Sequence, residues 1–194
     1  MKPFLALLLP FVLVGCGPSA NDVIAAIEDL GGTCRDLAKT GEVTHVDLTG
    51  TQITDARLEL LHLQGLASMT DLNLTGTQIT DAGLEHLKGL TSLTKLHLTD
   101  TQITDAGLEH LKGLRSLRSL RLDDTQITDA GLEHLKGLTS LRLLYLWQTP
   151  ITDAGLEHLQ GMTSLEVLEL RGTPITDAGL EQIKAALPNC EISR

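Results

Sequence analysis

Three sets of residues recur or stand out at spacings that could carry chemistry. His86, His110, His134 and His158 follow one another every 24 positions in the phrase E-H-L. A column of imidazoles suggests metal, provided several rings reach about 2 Å from one ion and a second shell orients them. Asp55, Asp81, Asp105, Asp129, Asp153 and Asp177 form a second column. Paired carboxylates can divide the roles of general acid and general base. Cys16, Cys34 and Cys190 are the three thiols, open to acylation, oxidation or pairing.

The surroundings favour plainer roles for the first two sets. E-H-L-K reads as a solvated helix face, so the histidines are expected on the outside of the chain with no common ion. Each Asp follows a Thr at the start of a helical segment, where either residue of the pair, Thr80 or Asp81 for example, can cap orphan amides and the carboxylate complements the helix dipole. Thr51, Thr77, Thr101, Thr125, Thr149 and Thr173 form a further column, whose hydroxyls are expected to bond turn amides of the adjacent unit. The sequence has no Gly-rich phosphate loop, no Ser-His-Asp arrangement and no Cys-x-x-Cys. The reading is of a protein with no catalytic residues, no metal and no cofactor.

The elements that position these residues come from one repeated unit. The phrase T-Q-I-T-D-A-G-L-E-H-L-K-G-L begins at Thr77, Thr101 and Thr125, with variants at Thr51, Thr149 and Thr173. Steps from 77 to 173 are 24 residues, and the step from 51 to 77 is 26. Each unit adds L-x-x-L-x-L, as in Leu93, Leu96 and Leu98. The x-L-x-L alternation predicts a short strand with one buried face. Asp81 to Leu87 predicts a helical turn, with Gly89 suited to a left-handed C-terminal position. No unit can bury its Leu face alone, so the units must stack.

This pattern resembles the leucine-rich repeat family, in particular the ITDAGL-type repeats of planctomycete and related bacterial proteins. The resemblance covers roughly residues 43–192. It implies an α/β leucine-rich repeat solenoid: a curved parallel β-sheet of about seven strands on the concave side and short helices on the convex side. Before it, N-D-V-I-A-A-I-E-D-L (21–30) predicts an amphipathic capping helix stopped by Gly31-Gly32. Pro188 is expected in the last strand, where it would remove a donor from the sheet edge.

The N-terminus is of another kind. One charge, Lys2, precedes an apolar run from Phe4 to Val14, too short to span a bilayer and suited to an export signal. It ends in Leu13-Val14-Gly15-Cys16, which resembles the lipobox of bacterial lipoproteins. That resemblance implies cleavage after residue 15 and acylation of Cys16. The expected organisation is a signal peptide at 1–15, a tether at 16–20, an N-terminal cap at 21–42 and repeats with a C-terminal cap strand at 43–194. Gly17 in place of an Asp leans towards the outer membrane of a bacterial cell envelope. Cys34 and Cys190 are about six strand spacings apart, roughly 29 Å, which excludes a bond that needs Cα atoms within about 7 Å.

Charge and aromatic content narrow the partners. The chain carries a net charge of -10 at pH 7, which disfavours nucleic acid, because phosphate binding relies on clustered Lys and Arg. The only Tyr and the only Trp, Tyr145 and Trp147, share one strand with Leu143. Leu141, Leu144 and Leu146 occupy the inward slots, so Leu143, Tyr145 and Trp147 face out. With Val167 on the next strand they form an apolar patch, bordered by Arg121, Asp123, Glu169 and Arg171, with His97 and Lys95 one strand further away. Tyr, Trp and Arg are the residues most enriched at binding hot spots. The expectation is a membrane-anchored, non-catalytic protein–protein interaction module acting through its concave face on a partner near the membrane surface. A glycan ring, the protein's own N-terminal segment, or self-association in the envelope are the other uses of that surface.

Overall fold

The computed structural model describes residues 20–36, 42–61, 66 and 68–194. The expected export signal, Cys16 and the expected tether up to residue 19 lie outside the described residues. One sheet of eight strands runs along the molecule in sequence order. The strands are β1 (Thr33–Asp36), β2 (Val43–Asp47), β3 (Asp71–Asn73), β4 (Lys95–His97), β5 (Ser119–Arg121), β6 (Leu143–Tyr145), β7 (Val167–Glu169) and β8 (Glu191–Ser193). β2 to β8 pair in parallel, each with the next. These are the seven strands expected from the repeat. The eighth, β1, pairs antiparallel with β2 and places Cys34 opposite Val46. It lacks the x-L-x-L pattern because it is not a repeat strand but the return of the cap.

That return follows from the cap helix α1 (Ala20–Asp29). Val23 and Ile27 are buried on one face of it. Its end is closed by Gly31 N–H to Glu28 O at 2.9 Å and Gly32 N–H to Ile27 O at 3.0 Å, with Gly31 at φ 81°. This is a reversing C-terminal motif that only glycine enters without strain, and it sends the chain back across the end of the sheet.

Opposite the sheet lie α2 (Asp55–Leu60), α3 (Asp81–Glu85), α4 (Asp105–Leu108), α5 (Asp129–Leu132), α6 (Asp153–Leu156) and α7 (Asp177–Ala186). Between the two layers the Leu and Ile columns merge into one continuous core, with Leu72, Leu96, Leu120, Leu144 and Leu168 all at zero exposure. Each such Leu is worth about 2–5 kcal/mol against Ala. α7 runs longer than the other repeat helices because K-A-A replaces K-G-L. It therefore uses up residues to 186, and Pro188 falls in the turn before β8 rather than in the strand. The expected blunting of the sheet edge by Pro188 is thus not what the fold contains.

Three other expectations are corrected. The left-handed residue of each unit is not Gly89 or its equivalents; it is the one just before the Thr column: Gly50, Gly76, Asp100, Asp124, Gln148 and Gly172. The Thr hydroxyls do not bond amides of the adjacent unit. Each donates to the carbonyl three residues back in its own unit, at 2.6–2.8 Å, from Thr51 to Leu48 O through Thr173 to Leu170 O. The turn is thereby closed from inside, and the hydroxyl is satisfied where it is buried.

The Asp column does not cap its own helices either. Asp81 accepts from Thr104 N–H at 2.7 Å and from the Thr104 hydroxyl at 2.6 Å, one unit further on. The same pair of hydrogen bonds joins Asp55 to Thr80, Asp105 to Thr128, Asp129 to Thr152 and Asp153 to Thr176. These bonds hold the Asp153 carboxyl below the usual carboxylate range, the Thr176 hydroxyl contributing most. Of the two expected capping candidates it is the Thr that caps, at Thr80, Thr152 and Thr176. The Asp also explains the Gly in D-A-G-L. A Cβ on Gly83, Gly107, Gly131, Gly155 or Gly179 would overlap Oδ1 of the Asp one unit earlier. The first unit has no Asp behind it, and there the glycine is replaced by Arg57.

Candidate functional site

The strand β6 presents its odd positions to the solvent side of the sheet. Leu144 and Leu146 are fully buried, Leu143 and Tyr145 are half-buried, and Trp147 is 43% exposed. Only one other large hydrophobic residue among the described residues is exposed, Leu60 on the helix side. Trp147 is held from its backbone: its N–H donates to Asp123 Oδ1 at 3.0 Å, and its carbonyl accepts from Asp124 N–H at 2.9 Å. Gln148, next in the chain, takes φ 53° to turn away from the sheet. The indole is thus fixed at the root and open to solvent at the ring.

Register sets its neighbours. Leu143 lies beside Val167, and Tyr145 lies between Arg121 and Glu169. The Arg121 guanidinium stacks over the Tyr145 ring, 4.5 Å from its centroid, a contact worth about 0.5–1 kcal/mol at an exposed position. Glu169 clamps Arg171 through Nε to Oε1 at 2.8 Å and a second guanidinium nitrogen to Oε2 at 3.0 Å. This pairing, above all the hydrogen bond, raises the Arg171 pKa further. Both arginines are therefore oriented before anything binds, which lowers the entropy lost on association.

Two of the charged residues expected at the border behave differently. Asp123 is only 6% exposed. Its oxygens accept from Trp147 N–H and from the Thr99 hydroxyl at 3.3 Å, so it supports the platform from beneath instead of facing a partner. Alternation predicts an outward side chain but not that a neighbouring backbone will draw it in. Lys95 is exposed but engaged with Asp71, Nζ to Oδ2 at 3.6 Å. His97 sits in the row between Asn73 and Arg121. Burial lowers its pKa, with Arg121 and Lys95 adding to the effect and Asp71 and Asp47 opposing it.

The other candidate chemistry does not assemble. The four column histidines are half-buried on the helix side, and among the described residues no three His, Cys, Asp or Glu side chains converge as metal ligands would. Cys34 and Cys190 lie at opposite ends of the sheet and are not joined in a disulfide, and burial raises the Cys190 pKa. Two features escaped the sequence reading. One is the joint of Asp, Thr and Gly, whose signal was present in the missing Gly at Arg57. The other is the residue just before each outward strand slot, where Arg118, Arg142 and Glu166 stand in a row at the rim of the sheet.

The leucine rich repeat sequence profile matches residues 67–127 and 115–175. No curated protein sequence matches the chain. Among solved structures, it is similar to internalin C2 of Listeria monocytogenes, at 26% identity and a TM-score of 0.60, over 90% of this chain and 84% of that one. It is also similar in fold to an internalin F of the same species, at 22% identity and a TM-score of 0.58, over 89% of this chain and 54% of the other.

Proposed function

The chain belongs to the leucine-rich repeat family, and from that premise we propose that it is a non-catalytic interaction module that holds a protein partner on the concave face of its sheet. The observation that carries this is Trp147, held through its backbone N–H by Asp123 yet 43% exposed, in continuity with Leu143, Tyr145 and Val167 on an otherwise polar face. Proteins of this family generally work through protein–protein contact, and a rigid aromatic anchor flanked by oriented arginines is the composition of an interface hot spot. Capture from the native membrane fraction tests it. The full chain should retain a specific protein that Tyr145→Ala with Trp147→Ala loses, while the melting temperature of the variant falls by no more than about 4 °C, the cost of giving up the Arg121–Tyr145 contact outside the core. Retention by both chains would refute the assignment of the patch. Elution by an envelope polysaccharide instead would transfer it to a glycan.

The module belongs, on this proposal, to an exported bacterial lipoprotein of the ITDAGL type. The supporting residues are the h-region from Phe4 to Val14, the Leu13-Val14-Gly15-Cys16 motif and Gly17, which together favour an anchor at Cys16 and the outer membrane. A tether of about five residues reaches roughly 17 Å when extended, so the partner would meet the sheet close to the membrane surface. Metabolic labelling with an alkynyl fatty acid should mark the chain and fail to mark Cys16→Ser. Label that persists in the variant would remove the anchor. A second reading, self-association, draws on the outer edge of β8, which Pro188 leaves unblunted. Concentration-dependent sedimentation of the unacylated chain would support it, and a monomer at all concentrations would end it.

A further inference from the structure

At the rim of the sheet, where the chain enters β5 and β6, a groove of about 300 Å³ opens between neighbouring units. Its floor is Ser119 and Leu143, and its walls carry Lys95, Arg118, Arg142 and Glu166. Three cations and one acid line it, in a chain whose net charge is -10. The walls are not equivalent. Glu166 is paired with Arg142 across the junction to the last units. Asp71 is paired with Lys95 on the other side. Arg118 is exposed and, among the described residues, has no carboxylate partner. The row therefore alternates acid and base from Glu166 to Arg142, and then places Arg118 next to Arg142 with no acid between them.

We propose that this groove receives a carboxylate side chain from the partner, and that the partner presents an acidic peptide segment to the concave face. The inference rests on the reading of that face as the interface and names the chemistry of its occupant. Ser119 pairs with Leu143 in the register, so Arg118 and Arg142 begin on adjacent strands about 4.8 Å apart. One carboxylate between two guanidiniums at that spacing can accept from both, in short charge-assisted bonds. The apolar platform sets the rest of the segment. From residue 142 to Tyr145 along β6 is three residues, about 10 Å. An extended peptide following the strand would place an acidic residue over the groove and an apolar one, two or three positions on, over Tyr145. The acidic charge of the whole chain repels acidic molecules at long range, so the groove selects by short-range pairing; salt screens that repulsion, and it weakens the complex only through the Arg118 and Arg142 pairing itself.

The test begins with a random-peptide display library selected on the full chain. An enriched peptide is then synthesised and titrated against the wild type, reading the emission of Trp147, the only Trp in the chain. The inference expects enriched sequences with Asp or Glu two or three positions from an apolar residue. It expects Arg118→Gln to weaken the peptide at least about tenfold, with no change in melting temperature and a shallower dependence on salt. Replacing the peptide's acid by its amide should weaken the wild type by a similar factor and Arg118→Gln hardly at all. Enrichment without acidic residues, no enrichment, or equal affinity for wild type and Arg118→Gln would overturn it. So would an oligouronate that binds in an Arg118-dependent way where no peptide does, which would give the groove to an acidic glycan. Peptides that need Tyr145 and Trp147 but ignore Arg118 would sink this inference and leave the interface reading standing.

Discussion

His97 shows how a side chain on the sheet reports its surroundings. Burial lowers its pKa first of all, and the neighbouring cations Arg121 and Lys95 lower it further. The folded protein therefore resists a proton that the unfolded chain accepts. Above the ordinary His value of 6.5 both states are neutral and the group is without effect. As pH falls through that value, only the unfolded state gains the proton, so stability declines; it levels off below the depressed folded pKa. The melting temperature of the wild type should drop more between pH 7.5 and 5 than that of His97→Gln, and parallel profiles would show that the environment of His97 does not couple to folding. The outward position of His97 was legible from strand alternation. Its half-buried state was not, because burial of an outward residue depends on which side chains the adjacent strands place beside it, here Asn73 and Arg121. Asp123 escaped for the same reason: alternation gave its direction, while the amide that draws it in belongs to Trp147, 24 residues away.

At the scale of elements, the joint between successive units decides how closely the helices can approach. Gly107 lies within α4, where Ala would ordinarily be favoured by up to about 1 kcal/mol. Its absent side chain leaves room for Asp81 Oδ1, and Asp81 cannot retreat without giving up two bonds to Thr104. The clash outweighs the propensity, since overpacking costs about 1–3 kcal/mol. Gly107→Ala should therefore lower stability by about 1–3 kcal/mol in denaturant titration. In an Asp81→Ala background the same substitution should be neutral or stabilising, and the cycle should show coupling of about 1 kcal/mol or more. Additive effects would mean that Asp81 is not the obstacle. Strands, helices and their order could be read from the x-L-x-L and D-A-G-L phrases, whereas these joints could not. A repeated Asp at a helix start has capping as its local explanation, and only the three-dimensional stacking reveals that its partner is the Thr of the following unit. β1 was missed because T-C-R-D carries no periodic apolar pattern; its place is set by the reversal at Gly31 and Gly32.

The described residues share one core, continuous from Val23 on α1 to Leu187 just past the end of α7. Units of this size gain stability mainly from their neighbours, so the array should unfold as one. Emission from Trp147, a probe of the unit beginning at Thr125, and far-ultraviolet circular dichroism, a probe of all units, should give the same urea midpoint. An earlier midpoint for Trp147 would mean that the C-terminal units separate from the rest. The Asp–Gly joint has a further meaning for how such a chain can change over generations. A 24-residue unit between Thr77 and Thr173 carries an Asp for the unit after it and a Gly for the Asp of the unit before it, so each junction closes with any other. Duplication or loss of one such segment by unequal recombination leaves every junction complete, and lengthens or shortens the sheet by one rung of about 4.8 Å. The unit beginning at Thr51 is exempt, because it carries Arg57 where the later units carry the Gly that admits a preceding Asp. The array can grow or shrink from within, but its first unit is fixed as the beginning.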